Sequence, residues 1–195
     1  MGLGMLAAGR VTSIPTTFPE HFERSFLSDP EDLALIKQHY RIDANTPSDQ
    51  AFDTLLQMSS DIGFLAPTHY LAAGFPGPSY VYHFNYRNPW GGMWGGKVSH
   101  ILDIAVALGN YNSNGLNEQG ANTSSEMQEA FINFANGEEP WAPFQEIATG
   151  PMKVFGDGKA KMVTTLAEAQ RYPELFDLLE NVGWSKWWTA ISTYL

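Results

Sequence analysis

The imidazole of His100 is the side chain with the clearest chemical potential in this sequence. It follows a strand-like run at Tyr80–Tyr86 and a loop rich in glycine and tryptophan at residues 87–98, and it precedes an apolar helical run at Ile101–Leu108. An imidazole with an ordinary pKa of about 6.5 accepts a proton at neutral pH, and a loop after a strand is a common place for a general base. The pattern therefore predicts proton transfer at His100, with a buried histidine bonded to backbone as the structural alternative.

Three neighbouring side chains complete the candidate site. Asp103 comes one helical turn after His100, where its carboxylate could orient the imidazole or cap the start of the helix, and the position favours the cap. Trp90 and Trp94 in the preceding loop offer aromatic surface to a substrate. Four glycines in that loop allow close backbone approach: Gly91, Gly92, Gly95 and Gly96.

Several absences narrow the chemistry. The chain contains no G-x-S-x-G, so His100 has no obvious nucleophile to serve. The other histidines show no H-E-x-x-H spacing and there is no cysteine, so the sequence predicts no zinc site, no other metal and no cofactor. His83 lies within the predicted strand and is interpreted as structural.

Composition excludes other function classes. The net charge of −10 and the scattered positions of the 11 Lys and Arg residues argue against binding to nucleic acid. No apolar run approaches the ~20 residues that a membrane span needs. The first residues lack the basic start of a signal peptide, so we expect a soluble, cytoplasmic protein.

The hydrophobic pattern predicts an irregular segment at residues 1–18 and one domain over residues 19–195. A Gly-Asp-Gly turn at residues 156–158 predicts a hairpin between Met152–Phe155 and Lys159–Val163, and residues 110–124 read as a polar linker. The predicted helices are Pro19–Leu27, Pro30–Tyr40 with Asp29 as its cap, one from Ser48 through Ile62, Phe64–Gly74, Ile101–Leu108 buried on all sides, Glu126–Asn136, Pro173–Val182 and Trp184–Leu195. The helices carry more apolar surface than so few strands can cover, which predicts a helix-rich α/β fold with an incomplete sheet.

Four segments carry a resemblance to a known family. Asp61–Pro67 reads D-x-x-F-x-x-P, Tyr80–Phe84 reads Y-x-Y-x-F, Gly96–Asp103 reads GKVSHILD, and Met127–Phe144 reads MQEAFINFANGEEPWAPF, followed by KVFG. In this order, over residues 55–160, the set resembles the C-terminal part of type-B carboxylesterases, the cholinesterase-like branch of the α/β-hydrolase fold, and its fungal members above all.

The resemblance implies carboxylic ester hydrolysis, with His100 in the position of the triad histidine and general base. The family's serine, its acidic triad member and its oxyanion loop come earlier in the chain than the matched region. They have no counterpart here, which implies a C-terminal fragment of a serine hydrolase, inactive alone and dependent on an N-terminal hydrolase chain. The implied substrate is a small-molecule ester.

Two other functions stay open. A shortened hydrolase scaffold could bind a small apolar ligand, or use His100 with Asp103 for acid–base chemistry in small-molecule biosynthesis, and the aromatic surroundings favour this alternative. The bulky apolar stripe of the C-terminal helix could instead make this a non-catalytic interaction protein; its members are Trp184, Trp187, Trp188, Ile191 and Leu195.

Overall fold

The computed structural model describes residues 22–24, 29–92, 94–111, 115–156 and 158–192. The predicted irregular segment 1–18 lies outside these residues. So does most of the predicted helix Pro19–Leu27, of which residues 22–24 are helical. The end of the Trp-rich stripe at Leu195 also lies outside them.

The described chain is rich in helix and carries a small sheet. In chain order the elements are α1 Pro30–Tyr40, α2 Ser48–Ser60, a π-helical turn Asp61–Leu65, α3 Ala66–Gly74, β1 Val81–Phe84, α4 Leu102–Ala107, α5 Glu118–Ala135, β2 Met152–Phe155, β3 Lys161–Val163, α6 Leu175–Val182 and α7 Trp184–Ser192. The described residues divide into two compact units: the sheet unit, within residues 69–171, and the helical unit, within residues 22–68 and 172–192.

In the helical unit, the helix predicted to break at Gly63 continues through the π-helical turn. Asp61 begins this turn and is buried, and its carboxylate accepts hydrogen bonds from Tyr40 Oη at 2.8 Å and Gln57 Nε2 at 2.7 Å. A wide turn of this kind lets a helix continue where a residue is added to its regular repeat. The predicted break is therefore wrong, because glycine alone does not end a helix whose neighbours are held in place.

The ends of the helical unit differ from the prediction in two details. Asp29 occupies the cap position of α1, but its carboxylate makes no cap bond and pairs instead with Lys186 Nζ at 3.0 Å. Trp187 is fully buried with its ring 5.5 Å from that of Tyr40, whereas Trp188 keeps 37% of its surface exposed. Among the described members of the stripe, Trp187 and Ile191 therefore belong to the core, Trp184 is half-buried and Trp188 is exposed.

The sheet of the sheet unit has the order β1-β2-β3. β1 runs parallel to β2 and pairs Val81 with Met152 and Phe84 with Phe155, while β2 and β3 form the predicted antiparallel hairpin. Side chains alternate along β1 and β2, so one face packs with Phe84 and Phe155 and the other with Val81. This confirms the helix-rich α/β class with few strands.

Two predictions about the helices over this sheet are wrong. The predicted linker 110–124 gives way to α5 at Glu118, and hydroxyl residues of this stretch are satisfied by helix carbonyls: Thr123 Oγ1 donates to Gln119 O and Ser124 Oγ to Val106 O. Its start is capped by Asn117, whose side-chain oxygen accepts from Gly120 N at 2.9 Å.

The helix α4 was predicted to be buried on all sides, and the structure buries only one side. Leu102 and Val106 pack into the core, whereas Ile104 and Leu108 are 53% and 69% exposed. The apolar residues of this helix therefore form part of the exposed surface as well as part of the core. Among the described helices, none is both long enough and apolar enough to cross a membrane.

Candidate active site

The loop that leads to His100 is closed by its own backbone. Asn88 N donates to Lys97 O at 2.9 Å, and Gly96 N donates back to Asn88 O at 2.9 Å. Arg87 Nη1 adds a bond to Gly96 O at 3.0 Å. At Gly95 a Cβ atom would lie only 2.7 Å from Trp90 O, so glycine is needed for this close approach. The loop therefore has a defined path from β1 to the histidine.

Tyr86 anchors the start of this loop. Its hydroxyl donates to Asn117 Oδ1 at 3.1 Å, and its ring lies against Gly120, where a Cβ would come within 2.4 Å of Tyr86 Oη. Its backbone lies against Gly156 at the end of β2. These contacts connect the loop to both the sheet and α5.

His100 lies at the exposed end of the loop, directly before α4. Partial burial lowers the pKa of the imidazole below 6.5, and the carboxylate of Asp103 acts in the opposite direction. The neutral imidazole that a general base requires is therefore the dominant form at neutral pH. The exposed position excludes the alternative of a buried histidine.

The residue after His100 has an unusual backbone. Ile101 adopts φ 67° and ψ −11°, a left-handed conformation that β-branched residues rarely take. Such a conformation costs about 1–3 kcal/mol and is concentrated at functional sites, where the surrounding structure holds it. Here it turns the chain sharply between His100 and α4, and no sequence signal at an isoleucine predicts it.

Asp103 is placed differently from the favoured prediction. Ile101 occupies the cap position of α4, and Asp103 lies in the first turn of the helix, so the cap interpretation is wrong. Its carboxylate accepts a hydrogen bond from Tyr82 Oη at 3.1 Å, and burial together with this carboxylate raises the pKa of Tyr82 to about 12. The role of Asp103 in orienting His100 stays a prediction, supported by the charge coupling between the two side chains.

The two tryptophans are held by the loop and its surroundings. The half-buried Trp90 packs on the core beneath the loop, with its ring 4.8 Å from that of Tyr111. Trp94 is half-buried within the loop, and its carbonyl accepts from Lys97 N at 3.2 Å. Their role in substrate binding stays a prediction.

An apolar groove lies between α4 and α5, above the middle of β1. Its volume is about 330 Å³, and its polar side chains are the hydrogen-bonded pair Tyr82 and Asp103 together with Gln128. The apolar walls come from both helices: Ile104, Leu108, Phe131 and Ile132. Neither Trp90 nor Trp94 is part of this lining. The sequence analysis missed the groove, although the apolar residues on both sides of α4 were a signal for it.

Comparison with known families decides the ancestry of this chain. A model of the carboxylesterase family matches residues 11–173. The chain belongs to the carboxylesterase family. A search among curated proteins gives no match.

The match extends on both sides of residues 55–160 and confirms the resemblance to the carboxylesterase family. The matched residues contain the whole sheet unit. They include α3, the loop that carries His100, and the hairpin of β2 and β3. A carboxylesterase of the serine type needs a nucleophile, and the sequence of this family member contains no G-x-S-x-G. His100 therefore stays a candidate base, and the printed sequence holds no G-x-S-x-G serine for it to deprotonate.

Proposed function

We propose that this chain is the C-terminal part of a type-B, fungal-type serine carboxylesterase and that it supplies the general base for carboxylic ester hydrolysis in the cytoplasm. The observation that carries the proposal is the exposed imidazole of His100, held after a backbone-closed loop by the strained Ile101. The domain over residues 19–195 is then one part of a larger hydrolase domain. The rest of that domain comes from an N-terminal hydrolase chain.

In the proposed reaction, the neutral imidazole of His100 accepts the proton of a serine hydroxyl that the N-terminal chain supplies. The serine oxygen attacks the ester carbonyl, and the imidazolium then donates its proton to the departing alcohol. Water repeats the sequence to release the acid. Asp103 favours the imidazolium because its negative charge partly offsets the lowering of the His100 pKa by burial. The acidic triad member and the oxyanion donors also belong to the N-terminal chain.

The test is reconstitution on short p-nitrophenyl esters. We expect no turnover by the purified chain, and turnover when it is co-expressed with an N-terminal carboxylesterase-family chain that carries G-x-S-x-G. The variant His100→Ala should bring this turnover back to the level of the lone chain, because the serine loses its proton acceptor. His39→Gln, in the helical unit, is the matched histidine control and should leave turnover unchanged.

Two outcomes would contradict the proposal. One is hydrolysis by the lone chain that His100→Ala abolishes, since His100 would then act without the partner's serine. The other is a reconstituted enzyme in which His100→Ala turns over as fast as the unmodified chain. Circular dichroism of each variant shows whether it is folded.

A second candidate function rests on the groove between α4 and α5. As this alternative, we propose that the chain is a modified hydrolase scaffold that binds a small apolar ligand in the groove or uses His100 and Asp103 for acid–base chemistry in small-molecule biosynthesis. The apolar walls favour a hydrocarbon body, and the carboxylate of Asp103 favours a hydroxyl or amine at one end of the ligand.

Binding of the neutral dye N-phenyl-1-naphthylamine tests this alternative. We expect saturable fluorescence enhancement, and about tenfold weaker binding by Ile104→Lys, because a charge in the apolar wall must be desolvated when the dye enters. Leu71→Lys changes an equally apolar, exposed residue on α3 and is the matched control. Equal loss of binding in both variants, or none in either, rules out the groove as the binding site.

A further inference from the structure

Three buried donor atoms converge on the face of the sheet opposite the groove. His69 Nε2 lies 3.4 Å from His83 Nε2, and His83 Nε2 lies 3.2 Å from Met152 Sδ. The side chains of His69 and Met152 are fully buried, and His83 keeps only 5% of its surface exposed. Neither the proposed ester chemistry nor the groove uses these atoms.

The donors are held by rigid elements. β1 and β2 pair Val81 with Met152, so that His83 and Met152 project from the same face of neighbouring strands. His69 lies on α3, and its Nδ1 is 2.6 Å from Ile147 O. A carbonyl oxygen only accepts, so Nδ1 carries the proton and the lone pair of His69 is on Nε2. A backbone carbonyl that fixes the tautomer in this way is the usual support of a histidine ligand.

The distances from His83 Nε2 to the other two donors suit an ion shared by these atoms. Bonds of about 2.0 Å to nitrogen and about 2.3 Å to sulfur, which are typical of d¹⁰ ions, place two donors about 3.5 Å apart in a trigonal site. In the absence of an ion, His83 Nε2–H donates to His69 Nε2. When an ion binds, the proton of His83 moves to its Nδ1, and no proton need be released.

The donor set selects the kind of ion. All three donors are neutral, one is a soft thioether, and no group of three His, Cys, Asp or Glu side chains suited to a metal occurs in the part of the chain that the structure describes. The positive charge of Arg171 acts on His83, and it disfavours a divalent ion at this place more than a monovalent ion. Thioether and imidazole ligands without a carboxylate favour a soft monovalent ion over Zn²⁺, Mg²⁺ or Ca²⁺.

We propose that His69, His83 and Met152 form a binding site for one soft monovalent metal ion of the Cu(I) class. The site is independent of His100 and lies on the other face of the sheet from the groove. An ion there would tie α3 to β1 and β2.

Anaerobic titration with Cu(I), in competition with the chelator bathocuproine disulfonate, tests the site. We expect one tightly bound ion per chain, with X-ray absorption showing a sulfur ligand. Met152→Leu should weaken binding at least tenfold, because it removes the thioether and conserves volume well enough for the chain to fold. Met162→Leu on β3, where the methionine is exposed, is the matched control and should bind as the unmodified chain does.

The variant His83→Phe gives an independent measurement, since it removes a nitrogen donor and keeps a ring of similar size. Loss of the tight ion in both Met152→Leu and His83→Phe, with circular dichroism unchanged, supports the site. Absence of a tight ion in the unmodified chain overturns the proposal. Binding that neither variant weakens also overturns it, because the ion is then held elsewhere on the chain.

Discussion

Acidification from about pH 7 to about pH 4.5 is expected to lower the free energy of unfolding of the sheet unit by about 2–3 kcal/mol through His83 alone. Burial, the charge of Arg171 and the neighbouring His69 lower the pKa of His83 to about 3. The folded chain therefore keeps His83 neutral, whereas the unfolded chain takes up a proton below the ordinary pKa of about 6.5. Stability from this group is fully present above pH 6.5 and is lost as the pH falls towards 3.

Denaturant unfolding at a series of pH values measures this effect. Over the acid range, the unmodified chain should take up about one more proton on unfolding than His83→Phe does, so the variant has the flatter dependence of stability on pH. Carboxylates titrate in both proteins and cancel in the comparison. His100→Gln is the control, because His100 is exposed and its pKa is lowered less. Parallel curves for the unmodified chain and His83→Phe would show that His83 is not buried as the structure has it.

The sequence predicted those parts of the fold that depend on neighbouring residues. The helix α1 with proline at its start, the hairpin of β2 and β3, and the aromatic strand β1 were all confirmed, because each has a local pattern that a single element satisfies. The start of α5 was missed because residues such as Thr123 and Ser124 are typical of linkers. Only the structure shows that their hydroxyls donate to backbone carbonyls. One of those carbonyls belongs to Val106, which is on another helix.

The candidate site was likewise predicted where it depends on neighbouring residues, and it was missed where it depends on long-range contacts. The place of His100 at the end of a glycine-rich loop was predicted from local order along the chain, and the structure agrees that it lies exposed there. The partner of Asp103 was not predicted, because Tyr82 is 21 positions earlier, on strand β1, and the contact to α4 forms only when the helix packs on the sheet. The contact between His83 and Met152 joins residues 69 positions apart, and no periodicity along the chain predicts it. Long-range contacts thus carry most of what the sequence did not reveal.

Replacing Gly156 by alanine is expected to destabilise the sheet unit by about 3 kcal/mol, from a left-handed backbone cost of about 1 kcal/mol and the overlap of the added methyl. Gly156 has φ +89°, and a Cβ there would lie 2.2 Å from Tyr86 N and 2.6 Å from Tyr86 Cα. These are backbone atoms, so no side-chain rotation can relieve the overlap. The carbonyl of Gly156 is also held, since it accepts from Gln119 Nε2 at 2.8 Å.

Gly158→Ala is the matched control for this prediction. Gly158 also has a left-handed φ, +73°, but among the described residues no atom outside its chain neighbours lies within 4 Å of its Cβ position. Gly158→Ala should lower the free energy of unfolding only by the conformational cost of about 1 kcal/mol. The difference between the two variants therefore isolates the packing of Gly156 on Tyr86. Equal losses of stability in thermal or urea unfolding would mean that Tyr86 does not lie against β2. Since Tyr86 begins the loop that carries His100, such a result would also remove the structural basis for a positioned base.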